Sequence, residues 1–179
     1  MRSSLTAFLT VSLLASVLFI LGCSESAGPL AAGQAVLLSA EPEGCEGIDA
    51  LKSSMMTGLN PDGTAILVGR VGSGEDESWD PDKAAFMVRD LALQIEKHDD
   101  GHGGSGHDDC AFCKAAKEKA LESMALVQVV DEDGGVIQID ARKLLGLKED
   151  QVIVAEGQGV LEDGTLVFNA KKVFIRPES

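Results

Sequence analysis

Ile137–Pro177 reads IQIDARKLLGLKEDQVIVAEGQGVLEDGTLVFNAKKVFIRP. Gln151–Val160 and Thr165–Ile175 are rich in Val, Ile, Leu and Phe, and Glu162-Asp163-Gly164 between them is a turn signal, so the two runs predict a β-hairpin. Ala141–Leu145 predicts one helical turn, stopped near Gly146. Just upstream, Ala125–Val130 and Val136–Asp140 predict two more strands around the turn Asp131-Glu132-Asp133-Gly134-Gly135. Further upstream, Ala65–Val71 and Ala84–Leu93 complete a set of six short strands. Six strands with one small helix predict a mainly β domain, a small closed antiparallel barrel. Aromatic residues are only 4% of the chain and Tyr is absent. The core must therefore be built from aliphatic side chains.

This pattern resembles an OB-fold over roughly residues 64–177. The second half carries the likeness: a strand, a short helical turn, then DQVIVAEG (150–157) and TLVFNAKKVFI (165–175). The same order is found in the periplasmic bacterial OB-fold proteins. VGRVG (68–72) followed by FMVRD (86–90) is similar to their first two strands. The resemblance implies a binding domain and no catalytic residue. This chain departs from it by an insertion at about 96–124, between two barrel strands.

The insertion carries the chemistry. From Lys97 to Lys119 it reads KHDDGHGGSGHDDCAFCKAAKEK, with all three His of the protein and two of its four Cys. The order is His98-x3-His102-x4-His107-x2-Cys110-x2-Cys113. Imidazole and thiolate are ligands for Zn(II) and for Cu. Gly101, Gly103, Gly104 and Gly106 let the backbone turn around one ion at little steric cost. Ala111–Met124 consists of strong helix formers, and Asp108 or Asp109 can cap it. Cys110 and Cys113 then lie one turn apart, with the helix start, Lys114 and Lys117 favouring the thiolate. Asp99, Asp100, Asp108 and Asp109 can orient imidazoles. The expected ligands are Cys110, Cys113, His107 and His102, with His98 as substitute or fifth. Zn(II) ranks first, since a tetrahedral N2S2 set suits it, and Cu second. Three other readings stay open, the plainest being a flexible loop with free thiols. Cys110 and Cys113 can form a disulfide in an oxidising compartment, and the same CxxC can serve thiol–disulfide exchange, although the surrounding βαβ pattern of that chemistry is missing. Cys45 is the odd cysteine, able to complete a Cys3His site or to stand as a lone loop thiol without a role.

The chain opens MRSSLTAFLTVSLLASVLFILGC. Arg2, an apolar stretch from Leu5 to Leu21, and Gly22 before Cys23 have the layout of a secretory signal. Ile20-Leu21-Gly22-Cys23 resembles the bacterial lipobox, although Ile20 and Leu21 are not its favoured residues. The resemblance implies cleavage before Cys23, thioether lipidation of its sulfur, and acylation of the new amino terminus by a chain such as palmitate. Ser24 in place of Asp implies the outer membrane in a cell that has one. Residues 1–22 are thus read as a signal peptide, 23–60 as a flexible acidic tether rich in Ser, Gly, Glu and Pro with patchy local structure, such as a short helix over Ile48–Met56, and 61–179 as the barrel domain with its insertion.

The chain has 15 Lys+Arg against 29 Asp+Glu, a net charge of -14. Arg2 is the only charged residue before Cys23, so removal of the leader makes the remainder one unit more negative. Nucleic-acid affinity comes largely from basic side chains that neutralise phosphates, and from stacking rings. The charge and the scarcity of aromatics therefore exclude nucleic acid as the expected partner. The expected partners are the lipid bilayer through acylated Cys23, a transition metal, and a protein. Trp79, alone in the acidic stretch GEDESWDPD (74–82), is expected either to cap the barrel or to mark a partner surface. The sequence therefore predicts a non-enzymatic, membrane-anchored binding lipoprotein with a metal-binding His/Cys loop. The alternatives are a protein-interaction module with an incidental CxxC and a thiol-disulfide redox protein.

Overall fold

The structure, a computed structural model, describes residues 30–73, 78–93 and 119–177. It is mainly β. Five strands, β1 (Thr64–Val71), β2 (Ala85–Arg89), β3 (Met124–Val129), β4 (Val152–Glu162) and β5 (Thr165–Ile175), hydrogen-bond in a closed ring. The order is β1-β2-β3-β5-β4, with β4 returning to β1 from Thr64↔Gln158 to Arg70↔Val152. Inward-facing Leu67, Val71, Phe86, Val88, Val127, Ile153, Leu166 and Phe168 fill the ring. Alternate residues face out, the period-two pattern of a strand with one buried face.

The all-antiparallel expectation needs correction. β3 and β5 run parallel, from Ala125↔Leu166 to Val129↔Ala170, while the other four contacts are antiparallel. The cause is the strand count. Direction can alternate all the way round a ring only if the number of strands is even. The expected sixth strand, Val136–Asp140, is not a strand. One bridge, Val130↔Val136, follows the Asp131 turn. Ile139 N–H then donates to Ile137 O, which also accepts from Ala84 N–H. The chain thus folds back on itself and enters the next helix, so five strands remain and one contact must be parallel.

The flexible-tether expectation fails from residue 30 onward. α1 (Ala31–Val36) and α2 (Ile48–Met56) lie in this stretch. Val36, Ile48 and Leu51 belong to the same buried cluster as the strands, with Ile48 and Leu51 at 0% exposure. The composition is rich in turn formers, but Ile48, Leu51 and Met55 fall at helical spacing and form an apolar face. The segment between α1 and α2 is also tied to the ring. Leu37 bridges Val173 of β5 in parallel, and Glu46 bridges Leu67 of β1. Residues 38–45 connect these two bridges. The ion pair between Glu41 and Arg176, at 2.6 Å, fastens this connection beside the end of β5.

α3 (Ala141–Leu145) matches the expected helical turn. The Asp140 side chain caps it by accepting from Arg142 N–H at 2.8 Å, and Gly146, at φ 72°, ends it. Ala141, Leu144 and Leu145 all enter the core. α1 packs on α3 at Gly33, where an added Cβ would lie 1.8 Å from Leu144 O. The expected helix over Ala111–Met124 is described only at its end, where residues 119–122 are helical and Met124 already opens β3. No described helix is long and apolar enough to cross a membrane.

Candidate functional site at the base of the β2–β3 hairpin

The lipidation candidate Cys23 and the ligand candidates His98, His102, His107, Cys110 and Cys113 lie outside the described residues. Cys45, described, is half-buried with a free thiol. Among the described residues, no three His, Cys, Asp or Glu side chains converge as a metal cage would. The structure does show where the His/Cys segment leaves the ring and where it returns.

It leaves at the end of β2 and returns at the start of β3, across the register pair Arg89↔Met124. Asp90 follows at once. Its N–H donates to Ser123 O at 2.9 Å, which extends the hairpin by one more rung. Its side chain is 8% exposed, an unusual degree of burial for a carboxylate. One carboxylate oxygen accepts from Ala92 N–H at 2.9 Å, and the other from Asp49 N–H at 3.3 Å, in the first turn of α2. Helix N-termini favour anions, because their first N–H groups lack partners within the helix. Asp90 thus supplies from the hairpin the cap that Gly47, at the N-cap position, cannot. A Cβ on Gly47 would lie 2.5 Å from the Asp90 carboxylate, so a larger residue there would displace the carboxylate.

Two more contacts from α2 hold the returning strand. Lys52 Nζ donates to Glu122 O at 2.6 Å, and Ser123 Oγ donates to the Asp49 carboxylate at 3.0 Å. Both roots of the His/Cys segment are therefore fastened to one helix that is itself anchored in the core by Ile48 and Leu51. Asp90 could have been noticed in the sequence as the one acid within the apolar run AAFMVRDLAL (84–93). Its partner α2, about 40 residues earlier in the chain, could not.

The second feature is the surround of Trp79. Its backbone bridges Phe86 antiparallel, and the two ring centroids are 5.7 Å apart. Trp79 Nε1 donates to Glu149 at 3.1 Å, and Ser78 Oγ donates to the other Glu149 oxygen at 3.2 Å. The Arg142 guanidinium carbon lies 5.5 Å from the Trp79 ring centroid, within cation–π range. Arg142 is in turn held by Asp140 through three side-chain hydrogen bonds of 2.6–3.0 Å. These bonds, and then the Arg142 backbone N–H, hold the Asp140 carboxyl below the ordinary 3.8 against the opposing effect of burial. Trp79 is thus a half-buried residue packed on the core, as a capping residue would be. Its neighbours Met87 and Leu126 share with it a groove of about 290 Å³, whose rim carries the ion pair of Lys83 with Asp80 at 3.4 Å.

No protein-family model, no curated protein and no solved structure matches this chain. The functional reading therefore rests on its own residues.

Proposed function

We propose that the chain is a membrane-anchored, non-enzymatic lipoprotein whose ring is an OB-like barrel that presents a transition-metal-binding His/Cys segment. One observation carries this reading. Every His of the chain, together with Cys110 and Cys113, falls on the segment whose two roots, Asp90 and Glu122-Ser123, are both fastened to α2. A metal loop benefits from such rooting. Ligands brought near one another before binding lose less conformational freedom when the ion arrives.

Supporting the OB-like reading are the strand order 1-2-3-5-4, the parallel contact between β3 and β5, and a helix between β3 and β4. Two thiolates and two imidazoles, from Cys110, Cys113, His107 and His102, suit tetrahedral Zn(II) ahead of Cu, and His98 supplies a further donor. The lipobox-like Ile20–Cys23 supports acylation of Cys23 and a place at a membrane outside the cytoplasm, on the periplasmic side of the outer membrane where the cell has one.

Elemental analysis of the full chain isolated from cells tests the metal. The expected result is near-stoichiometric Zn or Cu, lost when Cys110→Ser and Cys113→Ser are combined while the fold is retained. Metal-free protein with a quantitative Cys110–Cys113 disulfide would remove the proposal. Turnover of dithiol substrates by such protein would favour the redox reading instead.

A further inference from the structure

The outer face of four neighbouring strands carries no charge across two complete cross-strand rows. The registers give Met87–Leu126–Val167–Val160 as one row and Ala85–Gln128–Asn169–Gln158 as the next, through β2, β3, β5 and β4. All eight face outward, because their chain neighbours Phe86, Val127, Phe168 and Leu161 point into the core. Val160 is 42% exposed and Gln158 is exposed. Met87, Leu126, Gln128 and Asn169 are half-buried, and Ala85 and Val167 are buried. Charge returns at the margins with Arg89, Glu162 and Lys171, and with the Lys83–Asp80 ion pair on the rim of the groove that Ala85, Met87 and Leu126 line. A neutral face of this extent stands out in a chain that is 25% charged, with a net charge of -14.

We infer that this face is where a second copy of the chain docks. Two copies at -14 each repel, and the repulsion is least where neither presents a net charge, since Lys83 and Asp80 at the edge of the face neutralise each other. The face also complements itself. An apolar row can lie against its own copy, and amides, which carry both donor and acceptor, can pair with amides. A two-fold interface requires such self-complementarity, since the same patch serves both partners. A cationic partner would gain nothing here that the acidic remainder of the surface does not offer better. Four strands at about 4.8 Å spacing make a patch roughly 15–20 Å wide. That is small for a permanent dimer and fits the weak class of interface.

The inference is independent of the metal and of the lipid, so the full chain in a neutral detergent serves for the test. Sedimentation velocity from about 1 μM to about 1 mM covers the affinity expected of a weak interface. It should show reversible dimers. The dimer fraction should rise between about 0.01 M and 1 M salt, as the Debye length shrinks from about 30 to 3 Å and the mutual repulsion is screened. Val160→Glu, at an exposed position, should weaken association about tenfold or more by setting like charges against each other. Gln128→Glu, which keeps the side-chain shape, should do the same, and unchanged far-UV circular dichroism would establish that both variants fold. Monomer throughout, association that falls as salt rises, or dimers that survive both substitutions would each overturn the inference.

Discussion

Asp140 joins two stabilising devices in one side chain. It caps α3 through the Arg142 N–H and holds the Arg142 guanidinium beside Trp79. Replacing a capping Asp by Ala costs about 0.5–2 kcal/mol. Asp140→Ala should therefore lower stability at neutral pH by about 1–2 kcal/mol, near the top of the range for such a cap, because it also releases Arg142. Thermal unfolding followed by Trp79 fluorescence reads the change. The pH dependence has a defined sign. The folded-state value lies below the ordinary 3.8, so the folded chain holds the proton less readily than the unfolded one. The contribution is complete above 3.8 and is lost as pH falls through the lowered folded value. The gap between wild type and Asp140→Ala should thus be constant near neutrality and shrink only in strong acid. A gap that instead grew on acidification would contradict the ion pair as its source.

The strands and α3 were legible element by element, because each carries a local signal. β4 and β5 alternate around the Asp163-Gly164 turn, and α3 begins at a capping Asp and ends at Gly146. The parallel contact between β3 and β5 was not legible, since it follows from the strand count and Val136–Asp140 has the composition of a sixth strand. Ile137 and Ile139 look like strand residues, yet they pack on the core from a folded-back segment. The short helix over Ile48–Met56 was legible, but α1 and the docking of both helices on the core were hidden by composition, as Ser, Gly and Glu around them signal loop while a few apolar residues at helical spacing decide the packing. Of the candidate site, the His and Cys stood out at once. The rooting by α2 did not, because Asp90–Asp49 and Lys52–Glu122 join positions far apart in the chain. This gives α2 a testable weight. Leu51, at 0% exposure, lies in the core, and truncating a buried Leu to Ala costs about 2–5 kcal/mol. Leu51→Ala should lower the midpoint of urea unfolding accordingly. A flexible tether would leave it unchanged.

At the scale of the whole molecule, the net charge works against the proposed anchor. A surface at -14 gains no attraction from anionic headgroups, whose field favours Lys and Arg. If the protein resides at a membrane, apolar contact must hold it there. Each buried methylene contributes about 0.8 kcal/mol, so one acyl chain binds only marginally, whereas several anchor stably. In the lipoprotein proposed above, all those chains would depend on Cys23, because the thioether would form on its sulfur and cleavage before it would expose the amine that is acylated. Cys23→Ser should therefore shift the chain from the membrane pellet to the soluble fraction almost completely, with no partial state held by charge. The wild-type chain should resist a high-salt wash and leave the pellet only in detergent, since salt screens ionic contacts and leaves hydrocarbon burial intact. Fractionation of cells producing each form decides the matter. A Cys23→Ser chain that stayed in the pellet would place the anchor elsewhere, in an uncut leader or a bound partner, and a wild-type chain released by salt would mean that charge, against its sign, was the tether.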